Sequence, residues 1–511
     1  MQTGQPLSSF ERSLADEAAT RRFAAEIAAA LRPGDLVTLS GELGAGKTAF
    51  ARAFIRHLAG DATLEVPSPT FTLLQTYTLP RYVVGHVDLY RIGDSSELDE
   101  LGLDDLGPEA VILMEWPDRA EGRLAPDRFD LAFALAPEHG TNARTVRVTG
   151  YGAAAARVAR LEQGDRFLAD AGWGGAERRF LQGDASARAY ERVALADRRA
   201  VLMNAPRRPD GPPLRGGRSY SAIAHLAEDV QPFVAIARAL HDRGFSAPVI
   251  HAADLDAGFI LLEDLGNDFI VDGDPPVPVE ERYAAAVDVL LALHAETLPE
   301  TLPVAPDREH RIPPYDRDAL LIELELLLDW YLPYHAHAAP PEACEAFAAL
   351  WDEALRPVLA APTTWVLRDY HSPNLLWLPH REGIARIGLL DFQDAVLGSE
   401  AYDVVSLLQD ARVDVSEQLE VALLGRYVKG RRARDPAFDA AGFATLYATL
   451  GAQRASKILG IFARLHRRDG KPQYLCHLPR VWGYLARSLA HPALQPLRTW
   501  YDRHVPPANV A

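Results

Sequence analysis

Apolar positions recur along this chain in two different rhythms. From about Leu14 to Leu31 an Ala-rich stretch repeats its apolar residues at helical spacing and predicts an amphipathic helix. Short apolar runs of strand length follow: Asp35 to Ser40, Thr72 to Thr78, Tyr82 to Asp88, Ala110 to Glu115, Phe129 to Leu135 and Ala143 to Thr149. Strands interleaved with helices predict an α/β domain over residues 1–152. Tyr151 to Phe167 reads as a linker or the start of a helix, within a connecting segment 153–175. A second unit is expected over 176–505. It opens on strand-like runs, Tyr190 to Leu195 and Ala200 to Asn204, then a Pro/Gly-rich loop and a helical segment from Ser219 to Arg243. Two more strands, Pro248 to Ala253 and Gly258 to Leu262, complete a small β-rich lobe, about 176–265. From Glu280 the pattern is mostly helical, apart from Trp365 to Leu367, Leu375 to Leu378 and Ile387 to Leu390, which gives a large helical lobe over about 266–505.

Composition narrows the class. A chain of 511 residues is too long for one core. Its net charge of −17 argues against a broad nucleic-acid surface, though not against a small basic groove. Cys344 and Cys476 stand in no metal-binding or disulfide spacing, as expected in a reducing cytosol. The polar N-terminus and the lack of a long apolar run predict a cytoplasmic protein with no membrane segment. Only four of the 53 basic residues are lysines, and none lies between Lys47 and Lys429.

The first chemical signal is GELGAGKT: Gly41, Glu42, Leu43, Gly44, Ala45, Gly46, Lys47 and Thr48. It fits the phosphate-binding loop pattern at every fixed position, after a strand and before a helix. Its glycines let backbone N–H groups turn toward a phosphate, and the helix N-terminus adds its positive dipole end. Lys47 would reach the β- and γ-phosphates of ATP, and Thr48 would ligate Mg²⁺. Two strand-end acids follow. Asp88 suits an outer Mg²⁺ contact, and Glu115 suits a group orienting water. Either alone could be a solvated acid; both together after a phosphate loop favour chemistry. VPSPTFTL offers hydroxyls at Ser68 and Thr70 that could sense the γ-phosphate.

GELGAGKT, VPSPTFTL, HVDLYRI, ELDELGL and MEWPDR stand here in the order and spacing of the TsaE family, and the resemblance covers nearly all of residues 10–150. It implies a small ATPase working with TsaD and TsaB toward threonylcarbamoyladenosine at position 37 of tRNA, meeting tRNA only through that complex. It also implies phosphate and Mg²⁺ binding by Lys47, Thr48 and Asp88, hydrolysis supported by Glu115, and Trp116 beside the nucleotide.

The second signal is LRDYHSPNLLW followed by LLDFQDA. Asp369 and Asn374 have D-x-x-x-x-N spacing, and Asp391 follows an apolar strand, as in kinase-fold phosphotransferases. Asp369 would accept the substrate hydroxyl proton, and Asn374 and Asp391 would hold Mg²⁺. Leu367 stands where protein kinases carry a histidine, and Gln393 replaces the glycine of D-F-G. The segment resembles small-molecule kinases related to aminoglycoside and choline kinases. With GDASARAYERV, VLMNAP, ILLEDLG and YDVVSLLQDAR it looks like the AmgK family of anomeric sugar kinases, over roughly Arg178 to Tyr501. That implies an aminoglycoside-phosphotransferase-like fold and an amino-sugar substrate, N-acetylmuramate or N-acetylglucosamine. The alternative is an aminoglycoside or other small-molecule phosphotransferase carrying a regulatory nucleotide-binding module. No strand lysine serves the phosphates in this lobe, so Arg188 is the candidate cation. Glu263 to Gly266, including Leu265, is the expected adenine hinge.

Overall fold

The computed structural model describes residues 8–120, 122–181 and 188–508. The chain forms two compact units. Residues up to 205 together with 251–264 make the first, and 206–250 together with the chain from 265 onward make the second.

The first unit opens with β1 (Ser8–Leu14), α1 (Glu17–Ala30), β2 (Leu36–Ser40), α2 (Lys47–Ala59), β3 (Leu74–Thr78), β4 (Val83–Asp88), β5 (Val111–Glu115), β6 (Arg128–Leu135) and β7 (Arg144–Tyr151). Their sheet runs β1-β7-β6-β2-β5-β4-β3. β2 lies parallel to both β5 and β6, and β4 is parallel to β5. Val37 and Leu39 in β2 are wholly buried, as a central parallel strand covered on both faces requires. The carboxyl ends of β2, β4 and β5 therefore open on one edge, where open α/β sheets bind ligands. The phosphate loop, Asp88 and Glu115 all sit there.

The N-terminal stretch predicted as merely polar contains β1. SSFERSL alternates half-buried and exposed residues and pairs antiparallel with β7 as the sheet edge. An edge strand with one wet face carries little apolar signal. Tyr151 to Phe167, left between linker and helix, leads into the helix α3 (Ala155–Asp170).

The first unit also holds a five-stranded sheet. It joins β8 (Glu177–Leu181), β9 (Ala189–Leu195) and β10 (Arg198–Asn204) to the strands Phe259–Glu263 and Ile250–Asp254, in the reverse of that order. β8 was not anticipated. Its Arg178 is buried in a bidentate pair with Glu191 (2.7 and 2.8 Å) and reaches Asp165 on α3 at 2.8 Å. From α3, Arg160 lies 3.6 Å over the Phe259 ring and donates to Asn204. So α3 is a packed helix between two sheets rather than a loose tether.

The second unit is built on the 30-residue helix Ala440–Asp469. A Cβ at Gly460 would fall 2.3 Å from the backbone of Leu326, so only glycine allows this helix to approach the helix Arg317–Leu326 so closely. The expected helix from Ser219 to Arg243 is broken into Tyr220–Ile223 and Gln231–His241. The mostly helical run expected after Glu280 also holds a hairpin that was not among its expected strands, Thr301–Ala305 with Arg308–Arg311. Pro303 and the charged REHR partner masked its strand pattern. Among the described residues no helix is long and apolar enough to cross a membrane, and both cysteines are free.

Candidate functional site

In the first unit the loop after β2 turns on glycines. Gly41, Gly44 and Gly46 take φ of 129°, 79° and 111°. A Cβ at Gly41 would meet the Phe133 carbonyl oxygen at 2.2 Å. Glu42, Leu43 and Gly44 form the exposed tip, and Ala45 is buried beneath it. Lys47 is buried, donates to the carbonyls of Gly41 (2.8 Å) and Glu42 (2.9 Å), and lies 3.8 Å over the Trp116 ring. Burial lowers its pKa, while the carboxylates of Glu115 and Asp88 pull it back up. Thr48 Oγ1 donates to Glu115 Oε2 at 2.9 Å. The other oxygen of Glu115 lies 2.9 Å from His86 Nε2, and both side chains are buried. Asp88 accepts from Ser68 (3.0 Å), Thr70 (3.1 Å) and the Tyr90 N–H (3.0 Å). Parallel register sets Asp88 beside Glu115. Lys47, Thr48, Asp88, Glu115 and Trp116 thus converge on one sheet edge. His86 completes the set and was not singled out. Its signal was strand periodicity, which puts it two residues before Asp88 on the same face.

In the second unit two short ribbons hold the other loop. Thr364–Val366 pairs with Val396–Gly398, and Leu375–Trp377 with Ile387–Leu389. These pairings bring Asp369, Asn374 and Asp391 together. Asn374 Nδ2 donates to the Asp369 carbonyl at 3.0 Å, and the Leu390 N–H donates to the Asn374 carbonyl at 2.9 Å. Asp391 adopts a left-handed φ of 56°, and Gln393 donates to its carboxylate at 2.8 Å. Buried Asp403 accepts from the N–H groups of Leu367 (2.6 Å) and Arg368 (2.9 Å), so it clamps the strained turn at Arg368, whose φ is 72°.

The model of the threonylcarbamoyl adenosine biosynthesis protein TsaE matches residues 14–146, and that of the phosphotransferase enzyme family matches 177–437. The N-acetylmuramate/N-acetylglucosamine kinase of Caulobacter vibrioides is 41% identical over 353 residues, covering 66% of this chain and 95% of that protein. Its Pseudomonas aeruginosa namesake is 35% identical over 332 residues, 63% of this chain and 88% of the relative. The tRNA threonylcarbamoyladenosine biosynthesis protein TsaE of Rickettsia felis is 38% identical over 126 residues, 25% of this chain and 73% of the relative. The chain belongs to both families, TsaE first and phosphotransferase second.

Asp369 is held in its ionised form. Burial pushes the Asp369 pKa up, but His371, Arg454, Lys457 and Arg368 outweigh it, and the net shift is downward. Burial pushes the His371 pKa down to about 4, against the pull of Asp410 and Asp369. Arg368 and Lys457 (2.7 Å) both pair with buried Glu323. Burial alone would raise that carboxyl, yet Lys457 and Arg368 bring it to about 2. Spacing gave no sign of Glu323, Arg454 or Lys457, because they come from distant helices. In the phosphotransferase sheet Arg188 stands half-buried directly before β9, while Gly183 to Ala187 of its loop lie outside the described residues. Glu263 ends its strand in register with Ala200, and Asp264 pairs with Arg192 at 2.7 Å. In the second unit Leu265 packs where a Cβ at Gly388 would stand, 3.2 Å away.

Proposed function

We propose that this protein carries two activities. The TsaE domain hydrolyses ATP in support of tRNA threonylcarbamoyladenosine formation with TsaD and TsaB, and meets tRNA only through them. The phosphotransferase domain uses ATP to phosphorylate the anomeric hydroxyl of N-acetylmuramate or N-acetylglucosamine. The kinase reading is carried by 41% identity across 95% of a named sugar kinase.

The residues present suit Mg²⁺. Among the described residues no three histidine, cysteine or carboxylate side chains converge as a dedicated metal cage. Mg²⁺ on nucleotide phosphates needs only one or two protein ligands. Thr48 with Asp88 in one site, and Asn374 with Asp391 in the other, would supply them. The ion, when bound, would neutralise charge on the phosphate oxygens.

In the kinase, Asp369 takes the proton from the sugar hydroxyl as its oxygen bonds to the γ-phosphorus. The bond to the β-phosphate oxygen breaks, and ADP leaves. In the TsaE domain, Glu115, fixed by Thr48 and His86, orients a water at the γ-phosphate, and Lys47 stabilises the departing charge.

The test incubates the full chain with Mg-ATP and N-acetylmuramate, N-acetylglucosamine or kanamycin, and locates product phosphorus by NMR. We expect sugar 1-phosphates, and a loss in Asp369→Asn of at least about a hundredfold in kcat. Phosphorylation of kanamycin alone would replace this reading with the aminoglycoside one.

A further inference from the structure

In LLDFQDA the residue two beyond Asp391 is a glutamine, where D-F-G has glycine. Gln393 is 3% exposed. Its Nε2 donates to Asp391 Oδ1 at 2.8 Å. Its Oε1 is buried and, among the described residues, accepts no hydrogen bond. An ionised carboxylate only accepts, so the amide must turn its NH₂ side to Asp391 and its oxygen away. A buried acceptor without a donor costs stability. A methionine would fill the same place without that cost, so packing alone does not call for glutamine here. What glutamine adds is a neutral donor aimed at one oxygen of Asp391.

The backbone around this contact is pinned from several sides. The Leu390 N–H donates to the Asn374 carbonyl at 2.9 Å. The Phe392 ring stacks on Phe233 of the helix Gln231–His241, with centroids 4.9 Å apart. The Ala227 N–H donates to Asp394 Oδ1 at 2.6 Å. Asp391 itself is held at a φ of 56°, a left-handed conformation that is costly outside glycine. These contacts set the backbone at Asp391 and leave the rotation of its carboxylate to side-chain partners. A carboxylate that binds an ion through one oxygen is oriented by a donor on the other. A charged donor would compete with the ion for Asp391, whereas an amide carries no charge.

Resting on the sugar-kinase reading above, in which Asp391 helps to hold Mg²⁺, we propose that Gln393 is the positioning residue of that carboxylate. Its amide orients Asp391 for the ion, and it acts through Asp391 rather than on the substrate.

The test uses the full chain carrying Lys47→Ala, so that the phosphate loop contributes no nucleotide-bound ion. In this parent, Gln393→Met and Gln393→Asn are compared in two ways. Mn²⁺ is titrated in the presence of a non-hydrolysable ATP analogue and read by electron paramagnetic resonance. Sugar kinetics with N-acetylmuramate and N-acetylglucosamine are measured across a Mg²⁺ series. Gln393→Met should weaken Mn²⁺ binding by at least about tenfold, and Gln393→Asn, whose amide is one methylene shorter, by less. Sugar KM should stay within about threefold of the parent. The kcat of Gln393→Met, low at limiting Mg²⁺, should climb toward the parent value as Mg²⁺ is raised. An equal loss of kcat at every Mg²⁺ concentration, with Mn²⁺ affinity unchanged, overturns the positioning role. If denaturant unfolding shows that Gln393→Met does not fold, parental Mn²⁺ affinity in Gln393→Asn overturns it instead. A chain active on neither sugar, with the tenfold Mn²⁺ loss intact, overturns the substrate reading and leaves the role of Gln393 standing.

Discussion

At the scale of single residues, the two sites differ in how their acids are held. Glu115 is committed at both oxygens, to Thr48 and to His86. Fixed geometry of this kind is what positions a water without reorganisation. Glu115→Gln keeps the shape but loses the carboxylate. We expect sugar-independent ATP hydrolysis to fall about a hundredfold with nucleotide affinity within a few-fold of wild type. Steady-state hydrolysis and nucleotide titration measure the two quantities separately, and equal loss of affinity would assign Glu115 to binding instead. Lys47 and Thr48 were legible because one loop of eight consecutive residues sets their positions. The pairing of His86 with Glu115 was not, because 29 residues separate them and only the β4–β5 register brings them together.

At the scale of elements, the second unit binds its helices through buried polar contacts as well as apolar ones. His294 caps the helix Glu280–Leu293 and lies 2.7 Å from the Tyr427 hydroxyl on the helix Glu417–Arg434. Burial, with a smaller push from Arg431, depresses its pKa from 6.5 to about 3. The folded state therefore holds it neutral where the unfolded chain would protonate it. That contribution is complete above pH 6.5 and is lost as pH falls, reaching about 2 kcal/mol at pH 5. His294→Gln should flatten the fall in unfolding free energy between pH 7 and pH 5 by about that amount, read from denaturant unfolding at each pH. A slope identical to wild type would place the acid sensitivity elsewhere. The helices that meet here carried clear periodicity. Their partnership did not, since an amphipathic stripe says which face is buried and not against what.

At the scale of the whole molecule, the proposed function requires two nucleotide sites on one polypeptide, one in the TsaE domain and one in the kinase. Titration of the full chain with a non-hydrolysable ATP analogue and Mg²⁺ should give two equivalents. Lys47→Ala should remove one and Asp391→Asn the other, each with at least about a tenfold loss of affinity at its own site. A single equivalent insensitive to either change would refute the two-site account. The amino-acid sequence by itself determined the α/β phosphate-binding domain, the kinase-like second part, and the residues of both motifs, because each motif's geometry is set within a few consecutive residues and its flanking strands. Only the tertiary structure decided what surrounds them: Arg178 locked to Glu191 and Asp165, Asp403 clamping the Arg368 turn, and Glu323 paired with both Arg368 and Lys457. Lys457 meets Glu323 across 134 residues. Over such separations no local spacing encodes a contact, and the pairing follows instead from which buried charges need one another once the helices have packed.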